Sequence, residues 1–99
     1  MKVNVRQKDI DKGVRGSENS CPIALATGRA FNTHNVYVHY IGEESDFTRL
    51  RIKVDNEYYS YSHIDEAEHC DNFIHWFDNG ETDDCKPFEF KIDTSRTTI

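Results

Sequence analysis

Ala67, Cys70, Ile74 and Phe77 recur at i, i+3, i+7 and i+10, with Phe73 beside them. That spacing draws one apolar stripe along a helix. A helix with one apolar face has to bury it against a second layer, so this stretch constrains the fold more than any other. The helical pattern runs from Ile64 to Gly80. Asp65 is expected to cap its start, with Glu68 three residues on, where a capping box places an acid. Asn79-Gly80 supplies a left-handed stop. The charge around the stripe has one sign. From Asp55 to Asp84 there are ten acids (Asp55, Glu57, Asp65, Glu66, Glu68, Asp71, Asp78, Glu81, Asp83 and Asp84) and no Lys or Arg. Beyond an acidic loop, Pro87 opens Phe88-Glu89-Phe90-Lys91-Ile92, whose alternation predicts a strand.

A chain of 99 residues is enough for one small domain with a single modest core, and its twelve aromatics each bring a large area to bury. No signal peptide is read, and no apolar run is long enough to cross a membrane. Three cysteines, an odd number, then fit a reduced cytosolic protein with free thiols. The net charge of −6 is unevenly spread: nine bases and six acids lie up to residue 53, three bases and twelve acids after it. An acidic chain is disfavoured as a general duplex binder, because phosphate contacts need Lys and Arg. The asymmetry remains compatible with a bipolar surface.

Along the chain, Val3 and Val5 alternate with polar neighbours, so residues 2–6 read as a short strand. Gln7 to Lys12 reads as one helical turn ended by Gly13. Ser20 is a candidate cap for a second helix with Pro22 in its first turn, where a missing N–H costs little, and Gly28 is a place for that helix to break or end. Asn35 to Ile41 alternates, with Val36, Val38 and Tyr40 on one face. Gly42 to Asp46 reads as a turn. Phe47 to Val54 puts Leu50, Ile52 and Val54 on one face and Arg49, Arg51 and Lys53 on the other. Asp55-Asn56 is a tight-turn signal before a Tyr-rich strand, Glu57 to Ser62. The predicted order is β-α-β-β-β-α-β: an α+β domain over residues 1–93, with a mostly antiparallel sheet of about five strands and two helices on one face. Residues 94–99 are expected to fray. The expected core is Ile23, Leu25, Val38, Leu50, Ile52, Phe73, Ile74, Phe77, Phe88 and Phe90.

Two blocks carry a resemblance. Asp9-Ile10 with Gly13, then Cys21-Pro22-Ile23-Ala24-Leu25-Ala26, resembles the opening of small uncharacterised proteins of phages and prophages. Phe73-Ile74, Phe77-Asp78-Asn79-Gly80 and Pro87-Phe88-Glu89-Phe90 resemble their closing segment. The blocks cover roughly a third of the chain, and the middle strands lie outside them. The resemblance implies a phage origin and so the cytoplasm of an infected host cell. It brings no activity and no catalytic residues.

The residues offer four chemistries. Cys21, Cys70, Cys85, His63, His69 and His75 are potential metal ligands, but no C-x-x-C occurs and only His69-Cys70 are adjacent, so no metal is expected. Cys21 sits at a helix start, where the dipole can lower a thiol pKa, yet no base is placed beside it, and the more ordinary role is structural. No Gly-rich phosphate loop is present, no cofactor is expected and the chain does not read as an enzyme. Arg49, Arg51 and Lys53, with Tyr37, His39 and Tyr58 or Tyr59 on neighbouring strands, form a candidate face for single-stranded nucleic acid. Against this stands the plainer reading of an exposed face with long cationic side chains. The acidic block is the fourth: Glu66, Glu68, Asp71, Asp78, Glu81, Asp83 and Asp84, with Trp76 as an aromatic anchor, can present charge as phosphates do to the basic groove of a host nucleic-acid enzyme. Its plainer reading is solubility. A third use of the chain, capture of a small molecule, has no pocket signature in the sequence.

Overall fold

The computed structural model describes residues 1–40, 50–62 and 64–93; at residues 39, 40, 50, 51, 60, 64 and 82 the description is of the backbone. Five strands and three helices make an α+β fold: β1 (Lys2–Val5), α1 (Gln7–Lys12), α2 (Pro22–Phe31), β2 (Val36–Tyr40), β3 (Leu50–Val54), β4 (Glu57–Tyr61), α3 (Ile64–Asp78), a 3-10 turn (Thr82–Asp84) and β5 (Phe88–Asp93). The strands form one sheet in the order β1-β5-β4-β3-β2, and every pairing is antiparallel. The first and last strands are therefore neighbours, and the terminal ammonium of Met1 donates to the Ile92 carbonyl at 2.9 Å. The turn expected over Gly42–Asp46, the first residues of the strand expected from Phe47, and the tail 94–99 lie outside the described residues.

The helix count corrects the two-helix expectation. Gln7–Lys12 is a helix in its own right, so the order is β-α-α-β-β-β-α-β. Six residues are too few to show an apolar period, and α1 depends on tertiary support. Asp9 provides much of that support. Its carboxylate accepts the Arg6 N–H at 2.8 Å, the acidic half of a capping box. It also accepts two bonds from the Arg29 guanidinium of α2, both at 2.8 Å. Arg29 in turn donates to the Asn4 carbonyl at 2.8 Å, so one pair ties α1 and α2 to β1. At the end of α1, Gly13 lies so close to the Pro22 ring that an added Cβ would stand 2.7 Å from it.

Three helix boundaries differ from the expected ones. Cys21, not Ser20, caps α2: its Sγ accepts the Ala24 N–H at 3.4 Å. The helix passes through Gly28 and stops at Asn32, whose φ of 58° makes it the left-handed residue. The Thr33 N–H bonds back to the Gly28 carbonyl and the Asn32 N–H to that of Arg29, the paired bonds of a Schellman end. In α3, Ile64 is already helical, so Asp65 lies in the first turn instead of capping it. There its charge meets the positive end of the helix dipole. The Asn79-Gly80 stop is as read: Gly80 has φ 80°, Gly80 N–H bonds to Phe77 and Glu81 N–H to Trp76. Asp55 and Asn56, at φ 51° and 71°, make the two-residue turn between β3 and β4.

One core cluster joins the layers. α2 packs on β1, β2 and β3, and α3 on β3, β4 and β5. Val3, Val5, Val36, Val38, Ile52, Val54, Phe90 and Ile92 of the sheet are buried in that cluster, together with Ile23, Ala24 and Ala26 of α2 and Cys70, Phe73, Ile74 and Phe77 of α3. Leu25 and Phe88, both expected in the core, are half-buried. Leu25 falls between the buried positions of α2. Phe88 enters at the strand end and stacks on His69, with ring centroids 4.2 Å apart. The side chain of Leu50, also expected there, is outside the described set.

Asp9 provides the pH dependence of this arrangement. Burial pushes its pKa up, but the Arg29 guanidinium and the Arg6 N–H outweigh that and hold it below the ordinary 3.8. A depressed acid contributes stability above its unfolded pKa and loses it as pH falls through the folded value. Arg29→Met should therefore cost about 1.5–3 kcal/mol at neutral pH, the worth of hydrogen bonds to a charged group. Urea denaturation should show this gap to wild type narrowing on acidification through the carboxylate range.

Candidate functional site

The acids of the base-free block fall on the outer side of α3 because its apolar stripe claims the inner side. Glu68, Asp78, Glu81, Asp83 and Asp84 are exposed, and Asp71 is half-buried. From Asp65 to Asp78 the helix rises about 20 Å, and the 3-10 turn carries the series on. Among the described residues only two ion pairs form, Lys2–Glu89 at 3.5 Å and Arg29–Asp9 at 2.8 Å, and neither touches this ridge. Two members have structural duties. Glu66 accepts the Lys91 N–H at 2.9 and 3.1 Å, which satisfies a strand donor of β5. Asp78 accepts the Gly16 N–H at 3.0 Å and so holds the loop between α1 and α2 against the end of α3. Trp76 is half-buried and seated against the core.

The second candidate face is the outer side of the sheet. Tyr37 pairs with Lys53, and Lys53 pairs with Tyr58, so three strands place the three side chains in one row. Tyr37 is 37% exposed and Tyr58 51%. The Lys53 ammonium lies 5.7 Å from the Tyr58 ring centroid, within cation–π range. Tyr59, the other tyrosine considered, turns inward and meets Phe31 edge to face at 5.1 Å. His39 and Arg51 occupy the next pair of that register, which is a statement of their backbones. Arg49 lies outside the described residues.

The cysteines are buried apart from any charged partner that would activate them. Burial pushes the Cys21 thiol up to about 11, although the Ala24 and Ile23 N–H groups pull the other way. Burial also raises Cys70 and Cys85, with Glu66 acting on the first and Asp84 on the second. The helix-start effect on Cys21 is thus outweighed by lost solvation. Among the described residues no three of His, Cys, Asp and Glu converge as a metal site would require. The polar pair missed from the sequence is Asp9–Arg29, twenty residues apart, for which no local spacing gives a sign.

No family model, curated protein or solved structure gives a significant match to the chain.

At pH 8, a Cys21 pKa near 11 leaves roughly one thiol in a thousand ionised. Ellman's reagent should label the native protein slowly and all three cysteines rapidly once it is denatured. A thiol that reacts at once in the native protein would contradict the burial.

Proposed function

We propose that this protein acts by binding, without turnover of its own, and that its target is a host enzyme of nucleic-acid defence whose basic groove it occupies. The observation that carries this reading is the ridge on α3 and the 3-10 turn. Glu68, Asp71, Asp78, Glu81, Asp83 and Asp84 meet no described cation within ion-pair distance. A line of negative charge about 20 Å long, with the Arg15 guanidinium beside it at Gly80, steers a positive groove toward it and competes with the phosphates that groove normally holds. The resemblance to small phage proteins supports the same setting, an inhibitor made in the cytoplasm of an infected cell. On this reading α2 and α3 form one layer on one face of the sheet, and α3 turns its polar side to the partner. Glu66 and Asp78 contribute field while their oxygens hold backbone N–H groups. The rim of Trp76 left outside the core is the aromatic contact.

A specific observation favours a second reading. The row Tyr37, Lys53, Tyr58 places two exposed rings on either side of a cation, the composition of a platform on which single-stranded bases stack. In that case the outer sheet face binds nucleic acid and the ridge serves solubility.

The two readings predict opposite outcomes from matched variants. Glu81→Lys, Asp83→Lys and Asp84→Lys, combined, leave both structural carboxylates intact. If the ridge is the site, this variant loses inhibition of DNA cleavage across a panel of CRISPR and restriction nucleases, and wild-type inhibition weakens as salt shortens the screening length from about 10 Å at 0.1 M. Lys53→Glu with Tyr58→Ala keeps inhibition. If instead the sheet variant alone changes behaviour, and wild type binds a labelled oligonucleotide directly, the ridge proposal falls.

A further inference from the structure

The packing of α1 against α2 leaves a cleft of about 340 Å³ on a side of the molecule that neither candidate face uses. That volume lies at the lower end of the range of small-molecule sites. Its lining is the reverse of the chain's net charge. Lys8 and Lys12 come from one side of α1, four residues and about 6 Å of rise apart. Arg29 comes from α2, and Asn19, Asn32 and His34 from the loops at its two ends.

Asp9 is the one acid in this lining, and it is already neutralised, since both its oxygens accept from Arg29. The two lysine charges are therefore surplus to the cleft. Both lysines are exposed, and no described carboxylate lies within ion-pair distance of either. The Asn19 side-chain oxygen accepts from the Ser17 hydroxyl at 3.1 Å and the Ser20 hydroxyl at 3.4 Å. This orientation leaves its NH2 group as the part available to donate. Ammonium groups, an amide donor and an imidazole around a compact volume match a polyanion that accepts hydrogen bonds.

We propose that this cleft binds a phosphate-bearing small molecule of nucleotide size, with its phosphates between Lys8 and Lys12 and its remaining polar groups toward Asn19, Asn32 and His34. The site is separate from the acidic ridge and from the outer sheet face, and it stands or falls independently of either.

The test is a titration of the full chain with ADP at low salt, followed by amide chemical shifts, with adenosine as the matched ligand lacking phosphate. ADP should shift the amides of residues 8, 12, 19, 29, 32 and 34 as a group, and adenosine should leave them still. Lys8→Gln with Lys12→Gln should weaken ADP binding by about tenfold or more, the loss of charge-assisted bonds. Lys8→Arg with Lys12→Arg should retain binding, and so should Lys86→Gln, which removes an exposed charge elsewhere. The proposal is overturned if millimolar ADP moves none of these amides, if adenosine moves them equally, or if Lys86→Gln weakens binding as much as the cleft variant.

Discussion

Asp9 is the one charged side chain buried among the described residues, and the way it is neutralised fixes the N-terminal half of the molecule. A carboxylate out of water is expensive unless its oxygens are satisfied and its charge is met. Arg29 does both, with two bonds at 2.8 Å, and its remaining reach goes to the Asn4 carbonyl. The Arg6 N–H takes another lone pair. A six-residue helix that would not persist alone is thereby held between the first strand and the second helix. The same contact ends in Gly13, where close approach of the Pro22 ring demands the absence of a Cβ. Asp9, Gly13, Cys21 and Pro22 each have a structural duty here: ion pair, close approach, helix cap and first-turn residue.

The charge on the rest of the molecule is sorted by the same kind of competition. The apolar stripe of α3 sends its acids outward, and the absence of Lys and Arg from 55 to 84 leaves them without a base nearby in the sequence. Lys53 lies on the outer sheet face and Lys8, Lys12 and Arg29 line the cleft between the first two helices, while the Arg15 guanidinium lies beside Gly80 at the end of α3. A molecule of net charge −6 thus has one strongly negative edge and two smaller cationic regions. Within the ridge, Glu66 and Asp78 also serve as structural hydrogen-bond acceptors. Loss of binding on replacing either one would therefore be ambiguous, in contrast to Glu81, Asp83 and Asp84.

The elements governed by short-range rules were legible in the sequence. The stripe at Ala67, Cys70, Ile74 and Phe77 sets the buried face of α3 because a helical period needs only its own residues. Asp55-Asn56 and Asn79-Gly80 mark left-handed turns because few other residue types tolerate positive φ. The sequence shows α1 only as one helical turn, since the support that makes it a helix comes through Asp9 from Arg29, twenty positions away. Ser20 looked a better cap than Cys21, but the sulfur is the group that reaches the Ala24 N–H. Of the candidate sites, the acids could be placed outside by elimination. The choice of Tyr58 over Tyr59 for the outer face depends on register with β3, which alternation alone leaves open in a Tyr-Tyr pair. The cleft was not legible at all, because Lys8, Lys12, Asn32 and His34 come together only through packing of α1 on α2.

If the buried carboxylate is the constraint that the N-terminal half obeys, its ionisation has to show it. Carbon-detected NMR can follow the Asp9 carboxyl through an acid titration of the folded protein. The account predicts a midpoint below the ordinary 3.8, with Arg29 side-chain resonances moving in the same step. A midpoint at or above 3.8 would mean that burial wins over the guanidinium, and that the Asp9–Arg29 pair does not hold β1, α1 and α2 together.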